Sequence, residues 1–90
     1  MMAALDLLGR RWTLRVLWEL RDGALTFRAL RARCDDMSPS VLNQRLGELR
    51  ETALVALDEA SGYRLTPAGA ELLRALAPLD AWARRWASRG

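Results

Sequence analysis

Mainly α with a small β-hairpin is the fold class that this sequence predicts, and three observations predict it. Two hydroxyl-proline pairs, Ser38-Pro39 and Thr66-Pro67, each precede a run of leucines at helical spacing. Between those runs, Leu54-Val55-Ala56-Leu57 and Tyr63-Arg64-Leu65 alternate like two strands around the turn Asp58-Glu59-Ala60-Ser61-Gly62. Ahead of both, Trp12 to Leu20 is apolar nearly all round, as in a helix buried on most of its surface, in its own fold or against a partner. A helix pair, then a hairpin, then a closing helix is the order of a winged helix-turn-helix, here with a C-terminal dimerisation helix.

The 90 residues suit one domain, expected to span 1–90, which buries roughly 60–65% of the surface its unfolded chain exposes. A hydrophobic content of 51% excludes a disordered tail. No apolar run approaches the roughly 18–20 residues of a membrane span, so no membrane partner is expected. Met1-Met2-Ala3-Ala4-Leu5-Asp6 has no basic region ahead of an apolar stretch, which argues against a signal peptide. One cysteine makes no internal disulfide and fits a reducing cytoplasm.

Enzyme chemistry finds little footing. The chain has no histidine, so Cys34 lacks a base, and it has neither a zinc-spaced cysteine cluster nor a glycine-rich phosphate loop. The expectation is a non-enzyme without cofactor or metal. The net charge of +3 comes from 14 basic residues, all of them arginine. Guanidinium groups bind phosphate bidentately and stay protonated. An arginine-only, alanine-rich composition also follows from GC-rich coding, so charge alone points only weakly to nucleic acid.

Along the chain, Leu5 to Leu8 reads as a short apolar turn before Gly9 and Arg10-Arg11. The helix from Trp12 stops at Asp22-Gly23. Leu25-Thr26-Phe27 suits a very short strand leading into a helix capped by Thr26. Phe27, Leu30 and Cys34 then face inward, and Arg28, Arg31 and Arg33 outward. Asp35-Asp36 breaks this helix. Cys34 reads as core packing rather than a redox sensor.

The next helix has the clearest start signal, with Ser38 as N-cap and Pro39 in the first turn. Leu42, Leu46 and Leu49 repeat at offsets of four and three and should face the core. At about 100° per residue, Ser40, Gln44 and Gly47 fall opposite, flanked by Val41 and Asn43. An outer face of small and amide side chains suits DNA: amides bond bidentately to adenine, and small residues admit the backbone to the major groove. By itself such a face also fits an ordinary surface helix. The hairpin that follows favours the DNA reading. In it Val55, Leu57, Tyr63 and Leu65 share one face and Arg64 takes the other, where it meets either a phosphate or solvent. The acidic tip, Asp58-Glu59, argues against deep insertion of the wing.

In the closing helix, Leu72, Leu76, Leu79, Ala83 and Trp86 step by four, three, four and three, with Leu73, Ala75 and Trp82 widening the stripe. That is more apolar surface than one small domain needs, so the helix is expected to be half core and half dimer seam, bent at Pro78. The alternative is a helix that simply folds back on its own domain.

Three stretches resemble HxlR-type transcriptional regulators: Leu5 to Thr13 with Leu17 to Gly23; Ser38 to Leu49; and Tyr63 to Gly69. The resemblance covers nearly the whole chain in order. It implies a dimeric, cytoplasmic bacterial regulator of double-stranded DNA, related in fold to the MarR group. It also implies that Ser38, Pro39, Ser40, Asn43, Gln44 and Arg45 lie at or near the DNA. Arg11, Arg28 and Arg64 join them as phosphate candidates, as do Arg10 and Arg31. Arg45 sits only about 60° from the core leucines and is expected to brace the wing or touch a phosphate sideways. The expected dimer interface comprises Leu5, Leu8, Trp12, Leu76, Leu79, Trp82 and Trp86.

Three departures from the family pattern stand out. The family's Cys-Pro pair ahead of the first helix has no counterpart in these residues, which leads one to expect less dimer contact there and no such thiol. Thr26 replaces an arginine before the phenylalanine, removing one phosphate contact. The wing is short and acidic. The leading expectation is a homodimeric regulator, a repressor, on a pseudo-palindromic operator. Two alternatives stay open. One is a sensor in which Trp12, Trp18, Trp82 and Trp86 line an interface pocket for a small aromatic effector. The other is a protein-interaction winged helix without DNA binding.

Overall fold

The computed structural model describes residues 2–89. The elements run α1 (Met2–Leu8), α2 (Thr13–Glu19), α3 (Phe27–Arg33), α4 (Pro39–Glu51), β1 (Val55–Asp58), β2 (Gly62–Leu65) and α5 (Pro67–Ser88). This is the winged helix-turn-helix order that the start signals and the hairpin predict. Leu5 to Leu8 is not a turn but the second half of a helix. Leu7 and Leu8 pack against the core, which gives that short segment its reason to coil.

The core is assembled from one face of each inner helix. Val16, Leu17 and Leu20 meet Leu30 of α3 and Cys34 just after it, Leu42, Leu46 and Leu49 of α4, and Val55 at the base of the hairpin. The three leucines of α4 are fully buried, as their spacing predicts. The helix before them is less enclosed than its composition suggests: Leu14 and Trp18 remain 40% and 43% exposed. It also starts one residue late, because Trp12 adopts a left-handed φ of 77° at the N-cap. That conformation is strained for a bulky side chain.

The hairpin pairs Val55 with Leu65 and Leu57 with Tyr63, so the four share one face as the alternation requires. Val55, Leu65 and Tyr63 of that face meet the core, whereas Leu57 is exposed. The expected strand before α3 shrinks to one residue, with Leu25 exchanging backbone bonds with Tyr63 at 2.9 and 2.8 Å. The approach is so close that a Cβ on Gly62, itself at φ 100°, would lie 2.4 Å from the Leu25 carbonyl oxygen.

In α5, Leu72 and Leu73 pack on the core, and the helix runs on past Pro78 to Ser88 without interruption. Beyond Pro78 the stripe leaves the core: Leu79, Trp82 and Trp86 are each more than half exposed. Among the described residues, no helix is long and apolar enough to cross a membrane. No group of acidic or cysteine side chains there could hold a metal ion.

Candidate nucleic-acid interface

The presentation of α4 begins in the turn before it. Asp35 and Asp36 both take left-handed φ values, 58° and 53°, and reverse the chain between α3 and α4. Two arginines hold that turn. Arg31 donates from Nε to the Met37 carbonyl at 2.7 Å and from a terminal nitrogen to that of Asp36 at 3.3 Å. Arg15 of α2 reaches the Arg33 carbonyl at 2.6 Å, the Asp35 carboxylate at 3.3 Å and Glu19 at 2.8 Å. Arg31 is therefore not an outward phosphate ligand. It is spent on the turn, because a guanidinium satisfies two carbonyls that a reversal of this kind leaves without helical partners.

Ser38 caps α4, its hydroxyl accepting from the Val41 amide at 3.4 Å and lying 3.1 Å from the Ser40 hydroxyl. Ser38, Pro39, Ser40, Asn43 and Gln44 are all exposed. Among the described residues, the Asn43 and Gln44 amides have no hydrogen-bond partner. The helix therefore presents a polar, uncharged outer face in its first two turns, with free amides at Asn43 and Gln44 among the described residues, backed by three buried leucines.

Arg45 behaves differently. Its Nε donates to the Arg11 carbonyl at 2.8 Å and its Nη1 to Glu48 at 2.6 Å. The same Glu48 carboxylate also takes Arg10. The two guanidiniums hold the Glu48 carboxyl below the usual carboxylate range, the hydrogen bond from Arg45 being the larger cause. Arg45 thus braces the junction of α1 and α2, not the wing, and Arg10 is drawn away from the solvent-facing set. The i,i+3 spacing of Arg45 and Glu48 was a visible signal for half of this cluster. The link to Arg10, 38 residues away in sequence, was not.

Arg28 and Arg64 are exposed and form no ion pair among the described residues. Arg64 lies in β2 opposite Ala56. Arg11 is exposed as well, its guanidinium 5.9 Å from the Trp12 ring centre. The acidic wing tip has a structural use, since Asp58 accepts from the Ala60 amide at 2.8 Å and closes the turn. One cation escaped the sequence reading. Arg50, exposed in the last turn of α4, borders a cleft with Gly47, Ala56 and Leu57 between helix and wing. Its three-residue step from Gly47 was the available signal.

Cys34 is fully buried, and burial pushes its thiol up from the ordinary value. That is the environment of a packing residue. The four tryptophans do not converge within the described chain. Trp82 and Trp86 stack on each other, with centroids 5.9 Å apart and planes 8° from parallel. Trp12 packs on the core, and Trp18 lies under the Arg21 guanidinium at 4.1 Å.

A capped helix with an open amide face, held by a clamped turn and followed by a two-stranded wing, is the arrangement of a DNA-reading helix-turn-helix. Residues 7–90 match the family model described as HxlR-like helix-turn-helix. The chain belongs to this HxlR-like family.

Its relatives agree. The HTH-type transcriptional regulator YvaP of Bacillus subtilis is 30% identical over 89 residues, which cover 92% of this chain and 82% of that protein. Among solved structures, quinone-bound YodB of B. subtilis superposes with a TM-score of 0.88 at 30% identity, covering 94% of this chain and 96% of that one. An HxlR family transcriptional factor from Thermoplasma volcanium gives 0.84 at 26% identity, with coverages of 96% and 82%. The protein is accordingly a transcriptional regulator of the HxlR type, and DNA binding is implied by that membership.

Proposed function

We propose that this protein is a homodimeric repressor that reads a pseudo-palindromic operator with α4 in the major groove. The observation that carries the reading is the uncommitted amide face of Asn43 and Gln44 beside Ser40. Neither amide is bonded among the described residues, whereas Arg45 and Glu48 on the adjoining side are. Amides at this position reach the N6 and N7 edge of adenine, while the Ser38 end of the helix offers free N–H groups to a phosphate. Arg11, Arg28 and Arg64 supply backbone contacts around it, and Arg50 adds a fourth from the wing cleft. In a dimer the two α4 helices would lie about 34–36 Å apart, in successive major grooves.

Self-association is supported by α5. Its outer half carries Leu79, Trp82 and Trp86 with more than half of each exposed, and Leu5 of α1 is equally open. Contiguous apolar surface of this kind is characteristic of an interface. Leu76 lies half-buried between seam and core, whereas Leu8 and Trp12 are already packed on the protein's own core and would serve the seam only by supporting α1. A dimer seated over a promoter excludes polymerase, which makes repression the simplest mode of action.

The test is a gel shift on the duplex upstream of its own gene, with light scattering to confirm the dimer. Replacing Gln44 with alanine should cost about 1–3 kcal/mol of discrimination while random-sequence binding persists. Equal losses on both duplexes would remove base reading from Gln44. Failure of the wild-type dimer to bind at low salt would leave a protein-interaction module.

A second reading concerns an effector. A groove of about 260 Å³ opens between Leu14 and Trp18 of α2 and Leu73, Leu76, Leu79 and Ala83 of α5. One solved relative is described as quinone-bound. A planar aromatic effector in this groove would sit where α5 meets the core and would alter the seam. Saturable quenching of the tryptophan fluorescence by quinones, lost in Leu76→Phe, which fills the groove without adding an indole, checks it.

A further inference from the structure

Glu48 is the hub of a polar bridge that the DNA-facing residues do not account for. Its two carboxylate oxygens are divided between guanidiniums from different parts of the chain, Oε2 taking Arg10 and Oε1 taking Arg45. Arg45 then spends its Nε on the Arg11 carbonyl at 2.8 Å. That carbonyl belongs to the peptide unit immediately before Trp12, the residue held at φ 77°. The next side chain, Thr13, is buried with its hydroxyl unpartnered. The segment from Arg10 to Thr13 is therefore strained at one residue and under-bonded at the next, and the α4 bridge spans it from outside.

The Arg10 half of the bridge is a poor candidate for a stability device, unlike the Arg45 half, whose side chains are only 15% and 19% exposed. Arg10 is half exposed, and ion pairs in such surroundings contribute little to folding. Its geometry does something else. Glu48 lies about 80° around α4 from Ser40, at the edge of the amide face, and Arg45 about 140°, toward the buried leucines. Arg10, half exposed beside a DNA-reading face, would otherwise extend to a phosphate and bind any sequence. Tied to Glu48 it is withheld, and together with the Arg45 contacts this sets the roll of α4 against the α1–α2 junction.

We propose that Glu48 is the positioning residue of the reading helix: by holding Arg10 and Arg45 together, it sets the roll of α4 and suppresses sequence-independent binding. This rests on the reading of α4 as the DNA-binding helix. Its consequence runs against intuition. Removing Glu48 should strengthen binding to random DNA and weaken discrimination, because Arg10 is freed in each protomer, Arg45 keeping its bond to the Arg11 carbonyl, while the amide face loses its fixed aim.

The experiment takes a duplex selected by the wild-type protein from a random library and a shuffled duplex of equal composition. Affinities are measured over a salt series for wild type, Glu48→Gln and Arg10→Ala. Glu48→Gln is nearly isosteric, and its thermal unfolding confirms that it folds. Glu48→Gln should bind the shuffled duplex about 5- to 10-fold tighter, with a log–log salt slope steeper by about 2 as extra phosphates are neutralised. Its ratio of selected to shuffled affinity should fall about tenfold. Arg10→Ala should lower the ratio without steepening the slope, since it loosens the brace and removes a cation. A merely structural Glu48 would weaken both duplexes alike and leave the slope unchanged, and that result overturns the proposal alone. If wild type enriches no sequence from the library, the reading of α4 fails, and this proposal fails with it.

Discussion

Gly69 sits directly against the Leu54 backbone: a Cβ at residue 69 would stand 2.2 Å from the Leu54 carbonyl oxygen. The same oxygen accepts the Thr66 amide at 3.0 Å, and the Thr66 hydroxyl donates to the Ala53 carbonyl at 2.6 Å. The start of α5 is thereby seated on the entry to the wing. Gly69→Ala cannot keep this seat, because backbone rather than a flexible side chain blocks the methyl. Destabilisation of about 1–3 kcal/mol is expected from such overpacking, read as a lower urea midpoint. An unchanged midpoint would show that α5 can lift without cost.

Gly47 makes the opposite prediction. It lies in the middle of α4, and a Cβ there would meet nothing within 4 Å. Glycine in a helix interior costs about 0.5–1 kcal/mol relative to alanine. Gly47→Ala should therefore raise stability by about that amount. If the residue faces DNA, the same change should weaken operator binding severalfold. A variant both more stable and equally tight would take Gly47 out of the interface.

The Glu48 bridge sets a pH dependence. The two arginines hold its folded-state carboxyl below the ordinary value, whereas the unfolded chain titrates near about 4.3. A depressed carboxyl stabilises the fold above the unfolded value, and that contribution is lost as pH falls through the folded value. The stability difference between wild type and Glu48→Gln should therefore hold steady from pH 7 to about pH 5 and close only below about pH 4. Convergence already at pH 6 would place the effect on another group.

The outer half of α5 is tested by charge. Trp86→Glu puts a carboxylate into the stacked Trp82–Trp86 pair, and the neighbouring Leu79 is open to the same surface. Since none of these side chains belongs to the buried core, the fold should survive with an unfolding midpoint within a few degrees of wild type. The molar mass by light scattering should fall from dimer to monomer. A monomeric wild type, or a dimeric variant, would move self-association elsewhere.

By itself the sequence determined the order of the elements from α2 onward, the caps at Ser38 and Thr66, the inward leucines of α4 and which residues of the wing share a face. These are local matters: a hydroxyl before proline starts a helix, and leucines at offsets of three and four can share only one of its faces. It also carried the outward placement of Ser40, Asn43 and Gln44, because that follows from the same 100° step. Tertiary structure decided which arginines are available. Arg31 and Arg10 look like outward cations in the sequence, and Arg45 like a brace for the wing or a sideways phosphate contact, yet the first closes the α3–α4 turn and the other two converge on Glu48. A long guanidinium side chain reaches whichever carbonyl or carboxylate the fold brings near, and those partners lie up to 38 residues away. The strained Trp12, the coiling of residues 2–8 and the exposure of Leu14 and Trp18 were hidden for the same reason. Each depends on what packs across from it, which no spacing along the chain encodes.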